Sequence, residues 1–134
     1  MKPVIRNIIS VPLGWLAGSA ANMGLIFFGH SMYPIEGVDP NDMEALAEIM
    51  PTLSYEYMIF PFLAHALGTL IGTFIAMKIA ARNKKTIALL LGMIFLILGV
   101  VASFMIPAPG WFVALDLIVA YIPMAYIGWK LGNN

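Results

Sequence analysis

Apolar residues fall into four blocks along this chain, at positions 6–29, 57–80, 86–106 and 111–131. At ~1.5 Å of rise per residue, a helix of ~20 apolar residues crosses the ~30 Å hydrocarbon layer of a bilayer. The pattern predicts one all-α transmembrane domain, residues 1–134, folded as an antiparallel four-helix bundle. The first two blocks are separated by the only long polar stretch, the loop 30–56. In it, Asp39-Pro40 reads as an aspartate N-cap followed by proline at the first helical position. Met43, Leu46, Ala47 and Met50 then recur with the spacing of one helical face, and Pro51 ends the pattern. A short amphipathic helix is expected there.

Small residues are patterned inside the blocks. Ala64, Gly68, Gly72, Ala76 and Ala80 recur every fourth position of the second span, and Gly14 and Gly18 form a GxxxG in the first. Such faces let helix backbones approach closely in lipid. Both are expected to pack helices, and either would also suit a homo-oligomer or a larger membrane complex. Pro12 predicts a bend in the inner half of the first span, and Pro123 stands near the middle of the fourth. Gly18-Ser19-Ala20 resembles a signal-peptide cleavage site, but apolarity continues through Phe28, which predicts a retained helix.

Composition and charge place these helices. The 134 residues are 61% hydrophobic and only 10% charged, against about 25% charged in a soluble domain. The net charge is zero, yet the signs are segregated. All seven Lys and Arg residues lie near the N-terminus, around residues 78–85 or near the C-terminus. The loop carries Glu36, Asp39, Asp42, Glu44, Glu48 and Glu56 and no basic residue. The positive-inside rule puts both termini in the cytoplasm and the loop outside. The lipid bilayer is then the first partner. Nucleic acid is excluded, because the few basic residues are juxtamembrane. There is no cysteine, hence no disulfide or thiolate metal site. No HExxH, phosphate-binding glycine loop or activated serine is present, which argues against an enzyme, and no cofactor is implied.

Three polar side chains interrupt the apolar spans: Asn22, His65 and Asp116. Counted from Gly29, Tyr57 and Trp111, they lie roughly 11, 12 and 8 Å inside the outer boundary. Ionisable groups in a span are costly and usually face partners or a wet interior. We therefore expect an Asp116–His65–Asn22 hydrogen-bonded set beneath the acidic loop. Ser103 would be near the same layer, and His30 and Glu56 at the outer mouth. The structural alternative is that His65 and Asn22 only hold helices together while Asp116 reaches the outer interface. Two functions follow from the pattern: a site that binds a small ligand or handles protons, or a non-catalytic accessory or scaffold subunit docking through its acidic loop. A metal or haem site built from His30, His65, Glu56 and Asp116 is weighed lower, since the histidines sit on different helices at different depths.

The stretches IFPFLAHALGTLIG and MIPAPGWFVALDLIVAYIPMAYIG resemble those of a group of small uncharacterised four-span bacterial proteins. The resemblance extends over most of the chain. It implies an integral protein of the bacterial inner membrane and carries no activity.

Overall fold

A computed structural model describes residues 1–134, and it is built of helices alone. Helix α1 runs Pro3–Met32, α2 Met43–Ile49, α3 Ile59–Ile79, α4 Lys84–Met105, α5 Gly110–Val119 and α6 Ile122–Gly132. Single 3-10 turns, Met50–Thr52 and Tyr55–Met58, lead from α2 into α3. Four stretches are long and apolar enough to cross a membrane: α1, α3 with its leading turn, α4, and α5 with α6.

Helix α3 is the centre of the bundle, packed on α1, α6 and α4. Its small-residue face meets the GxxxG of α1. A Cβ on Gly72 would lie 2.5 Å from the carbonyl oxygen of Gly14, and one on Gly18 would lie 2.5 Å from that of Gly68. These are backbone-to-backbone contacts, and only glycine leaves room for them. Ala64 and Ala76 on the same face are fully buried. The expectation that either face would serve an interface between copies is corrected on this point: Gly14, Gly18, Gly68 and Gly72 are consumed within one chain. A second seam, not anticipated, joins the other side of α3 to α6. A Cβ on Gly128 would stand 2.7 Å from the Leu70 carbonyl oxygen, and one on Gly132 would stand 2.6 Å from the Met77 Cβ.

The buried apolar core runs along the bundle from Met77, Ala80, Ile87 and Ala88 to Ala66, Phe95, Ala120 and Tyr121. The end nearest residues 80–83 is tied by polar caps. Arg6 Nε donates to the Ile79 carbonyl at 2.8 Å. Asn7 Oδ1 accepts from the Ala81 and Arg82 amides at 2.9 and 3.1 Å. Together these satisfy backbone groups left over where α3 ends. Asn83 takes the left-handed conformation (φ 51°) that reverses the chain into α4. Lys85 stands over Trp129, and Lys130 over Tyr126, at 5.5 and 5.1 Å from the ring centroids. The basic residues of α1, of the 80–83 turn and of α6 thus share one end of the molecule.

Several sequence boundaries move. Helix α4 starts two residues earlier than expected. The loop helix is capped by Asp42, whose carboxylate accepts from the Ala45 amide at 3.1 Å. Asp39 instead closes a turn onto the Asn41 amide at 2.9 Å, because Asp39-Pro40-Asn41 satisfies itself locally. Helix α1 continues through Pro12 as one element. The fourth span, expected to be one helix, is two. Pro123 has no N–H for the Val119 carbonyl and its ring crowds that turn, so Ala120 and Tyr121 interrupt the helix.

Candidate functional site

His65 is the seventh residue of α3 and Asp116 the seventh of α5, and the bundle brings them face to face. His65 Nδ1 lies 2.9 Å from both carboxylate oxygens of Asp116. The Tyr121 hydroxyl donates to Asp116 Oδ2 at 3.1 Å. Since the carboxylate is the acceptor for Tyr121, we assign the hydrogen of the other bond to Nδ1 of the imidazole. The His65 and Tyr121 rings stack with centroids 5.8 Å apart. The Thr69 hydroxyl donates to the His65 carbonyl at 2.8 Å, on the next turn of α3.

Burial is uneven across the pair. The Asp116 side chain is 6% exposed and that of His65 is 24%. Asp116 therefore has both carboxylate oxygens hydrogen-bonded inside the protein, as a buried polar group requires. His65 presents its remaining edge to a cavity of about 160 Å³. Helix α1 supplies Trp15, Ser19 and Asn22 to its wall, and α4 supplies Phe95, Leu98, Gly99 and Ala102. Asn22 Oδ1 is buried there with no hydrogen-bond partner in the protein, a costly arrangement in a dry site.

The three polar groups expected in one layer are thus near one another but not all bonded. His65 and Asp116 form the pair. Asn22 lines the same cavity as His65 and bonds to neither, so the three-membered hydrogen-bonded set is corrected to a pair with Tyr121 as its third member. The reason lies on α1. Gly18 and Gly68 bring the helix backbones together just inside Asn22, and its Cβ packs on Gly68. Tyr121 was not foreseen, because an aromatic residue in an apolar span gives no sign of where its hydroxyl goes. The one signal was Pro123. Gly99 makes room for the Tyr121 ring, which a Cβ there would strike.

Ser103 does not join the layer. Its hydroxyl turns back to the Val100 carbonyl on its own helix at 2.7 Å, the usual outlet for serine in an apolar helix. His30 and Glu56 do come together, lining a smaller pocket of about 30 Å³ between α1 and the start of α3, walled by Tyr33, Tyr57 and Phe60. Glu56 Oε2 is buried there without a partner. His30 and Glu56 in one pocket and His65 and Asp116 at another do not converge, and no three His, Asp or Glu side chains gather as a metal would require. Comparison with known families, curated proteins and solved structures finds no match for this chain, and nothing there bears on the resemblance to small bacterial four-span proteins.

Proposed function

We propose that this chain is an integral protein of the bacterial inner membrane that binds a small ligand or exchanges protons at the His65–Asp116 pair. In this reading the four apolar stretches insert as antiparallel spans. The gathering of basic residues at the end that holds residues 80–83 supports cytoplasmic termini, and the acidic loop then faces outward. Large apolar side chains turned away from the bundle support insertion: Phe104 is 82% and Ile118 70% exposed, as lipid contact requires.

The observation that carries the functional reading is the asymmetry of the pair. A histidine serving only to join helices would be enclosed. His65 is satisfied on its Nδ1 side, yet its ring lines a cavity that also holds an unpartnered amide oxygen. An imidazole held through Nδ1 keeps Nε2 free to give or take a hydrogen bond or a proton. Histidine side-chain nitrogen NMR of the protein in lipid nanodiscs tests this. The His65 ring N–H is expected to exchange with bulk deuterium, at a rate that changes in Asp116→Asn. A ring N–H protected from exchange in both proteins would overturn the reading and leave an inert helix-joining pair.

A further inference from the structure

The cavity beside His65 is walled by three long helices and Tyr121, but its mouth lies between α1 and α4. Those two helices touch lower down, where Leu91 approaches Gly14 and Phe95 approaches Gly18; Phe95 belongs to the floor. The wall residues of these two helices that reach the surface, the lips of the mouth, are apolar: Trp15, just under a turn before Gly18, is 38% exposed, Leu98 is 46% exposed, and Ala102 is exposed beside Leu98. A solute reaching the site through these lips comes from the bilayer. The back wall is polar. Asp116 spends its carboxylate on His65 Nδ1 and the Tyr121 hydroxyl, so the groups left for a ligand are Nε2 of His65, the Asn22 amide and the Ser19 hydroxyl.

We propose that this cavity binds the ring head of a membrane-dissolved benzoquinone or benzoquinol, with its alkyl tail leaving between α1 and α4. The inference rests on the reading of His65–Asp116 as a ligand or proton site and names the ligand class. Size is the first argument: about 160 Å³ is close to the ~150 Å³ that admits one benzene in an engineered apolar cavity. Polarity is the second. With Nδ1 donating to Asp116, Nε2 of a neutral ring accepts a hydrogen bond, which a quinol hydroxyl supplies. Nε2 of an imidazolium donates one, which a quinone carbonyl accepts. The Asn22 amide offers a donor and an acceptor to a second ring oxygen, and its Oδ1 lacks any other partner. The lips are the third argument, since they favour an alkyl tail over a water-soluble solute.

Trp15 lines the cavity. Protein with Trp111→Phe and Trp129→Phe keeps Trp15 as its single tryptophan. In lipid vesicles, 2-decyl-1,4-benzoquinone is expected to quench its fluorescence saturably, and an equal concentration of decylbenzene, which has the tail and ring without oxygens, is expected to leave that curve unchanged. Asn22→Leu is expected to weaken decylbenzoquinone binding about 10-fold, the usual cost of one lost hydrogen bond to a ligand in a desolvated site, and Ala102→Phe to abolish saturation by filling the mouth without adding a tryptophan. Linear quenching by decylbenzoquinone, or saturation unchanged in both variants, overturns the proposal. Full competition by decylbenzene overturns it too and identifies the occupant as an acyl chain. The His65 exchange experiment is read separately: a ring that exchanges with bulk deuterium while decylbenzoquinone fails to saturate rejects the quinone and keeps the proton or ligand site.

Discussion

The two halves of α3 use opposite means to hold neighbouring helices. From Gly68 to Met77 the helix is nearly dry. Glycine is set against backbone carbonyl on the α1 side, and α6 presents Gly128 and Gly132 on the other. One turn earlier, at His65, the same helix holds α5 by a charged or shared-proton hydrogen bond and leaves a cavity against α1 and α4. Close packing of this kind depends on contact area and small residues. It therefore tolerates no added atoms but needs no particular chemistry. The polar half tolerates volume changes at the cavity but depends on each donor having its acceptor. The backbone-to-backbone seams lie toward residues 80–83, and the His65–Asp116–Tyr121 hydrogen bonds toward the acidic loop.

The contrast can be broken most severely in the dry half. Gly72→Val places a branched side chain against the Gly14 carbonyl oxygen and the Gly18 backbone, neither of which is a flexible group. A loss of about 3 kcal/mol, the upper end for overpacking, is expected in unfolding measured by denaturation in mixed micelles, with loss of folded protein as the extreme. A Gly72→Val protein as stable as the parent would show that the seam is loose.

In the polar half the cost should depend on pairing, not on volume. Asp116→Leu leaves the His65 Nδ1 and the Tyr121 hydroxyl without their acceptor, an expected loss of about 2 kcal/mol. His65→Phe together with Asp116→Leu is expected to recover about half of it, because replacing both partners of a buried pair costs less than removing one. Additive losses in the double-mutant cycle, read by the same denaturation experiment, would mean that the two groups do not interact.

Asn22→Ala sharpens the contrast at its smallest. The amide oxygen has no partner to lose, so the expected change in stability is below about 0.5 kcal/mol. Against the large penalty expected one turn away at Gly72, a near-silent Asn22→Ala separates a residue kept for a ligand from one kept for packing. A loss above about 1.5 kcal/mol, near the strongest interhelical bonds measured in lipid, would place Asn22 in the scaffold instead.

Much of the bundle was legible before any coordinates, for a simple reason. The length of an apolar block and the sign of its flanking charges are local properties, and the four stretches long enough to span and the gathering of the basic residues are read from them. The small-residue face of α3 was legible too, but its partner was not. GxxxG announces that a backbone will come close without saying whose, and Gly14 and Gly18 turned out to meet Gly68 and Gly72 of the same chain. The α6 seam was overlooked although Gly128 and Gly132 form a GxxxG on one face with Ala125; bulky Tyr126, Ile127 and Trp129 on the other side drew the reading toward an interfacial end. At the site, depth counting brings His65 and Asp116 to one level, since helix rise is nearly constant. It cannot fix where each side chain turns: Asn22 lines the cavity without bonding the imidazole, and Ser103 bonds its own helix. Tyr121 depends on a helix break whose cause, Pro123, is visible but whose effect on a neighbouring ring is not.

The separation of 51 residues between His65 and Asp116 also has a meaning in time. As the chain is synthesised, α3 is made before α4, and α5 follows last but one. His65 is made before its carboxylate exists, and the α3 surface destined for Gly128 and Gly132 is uncovered for as long. Helices α1 and α3 carry the glycines for their own contact as soon as both are made, while the acceptor for His65 and the glycines of the second seam arrive only with α5 and α6.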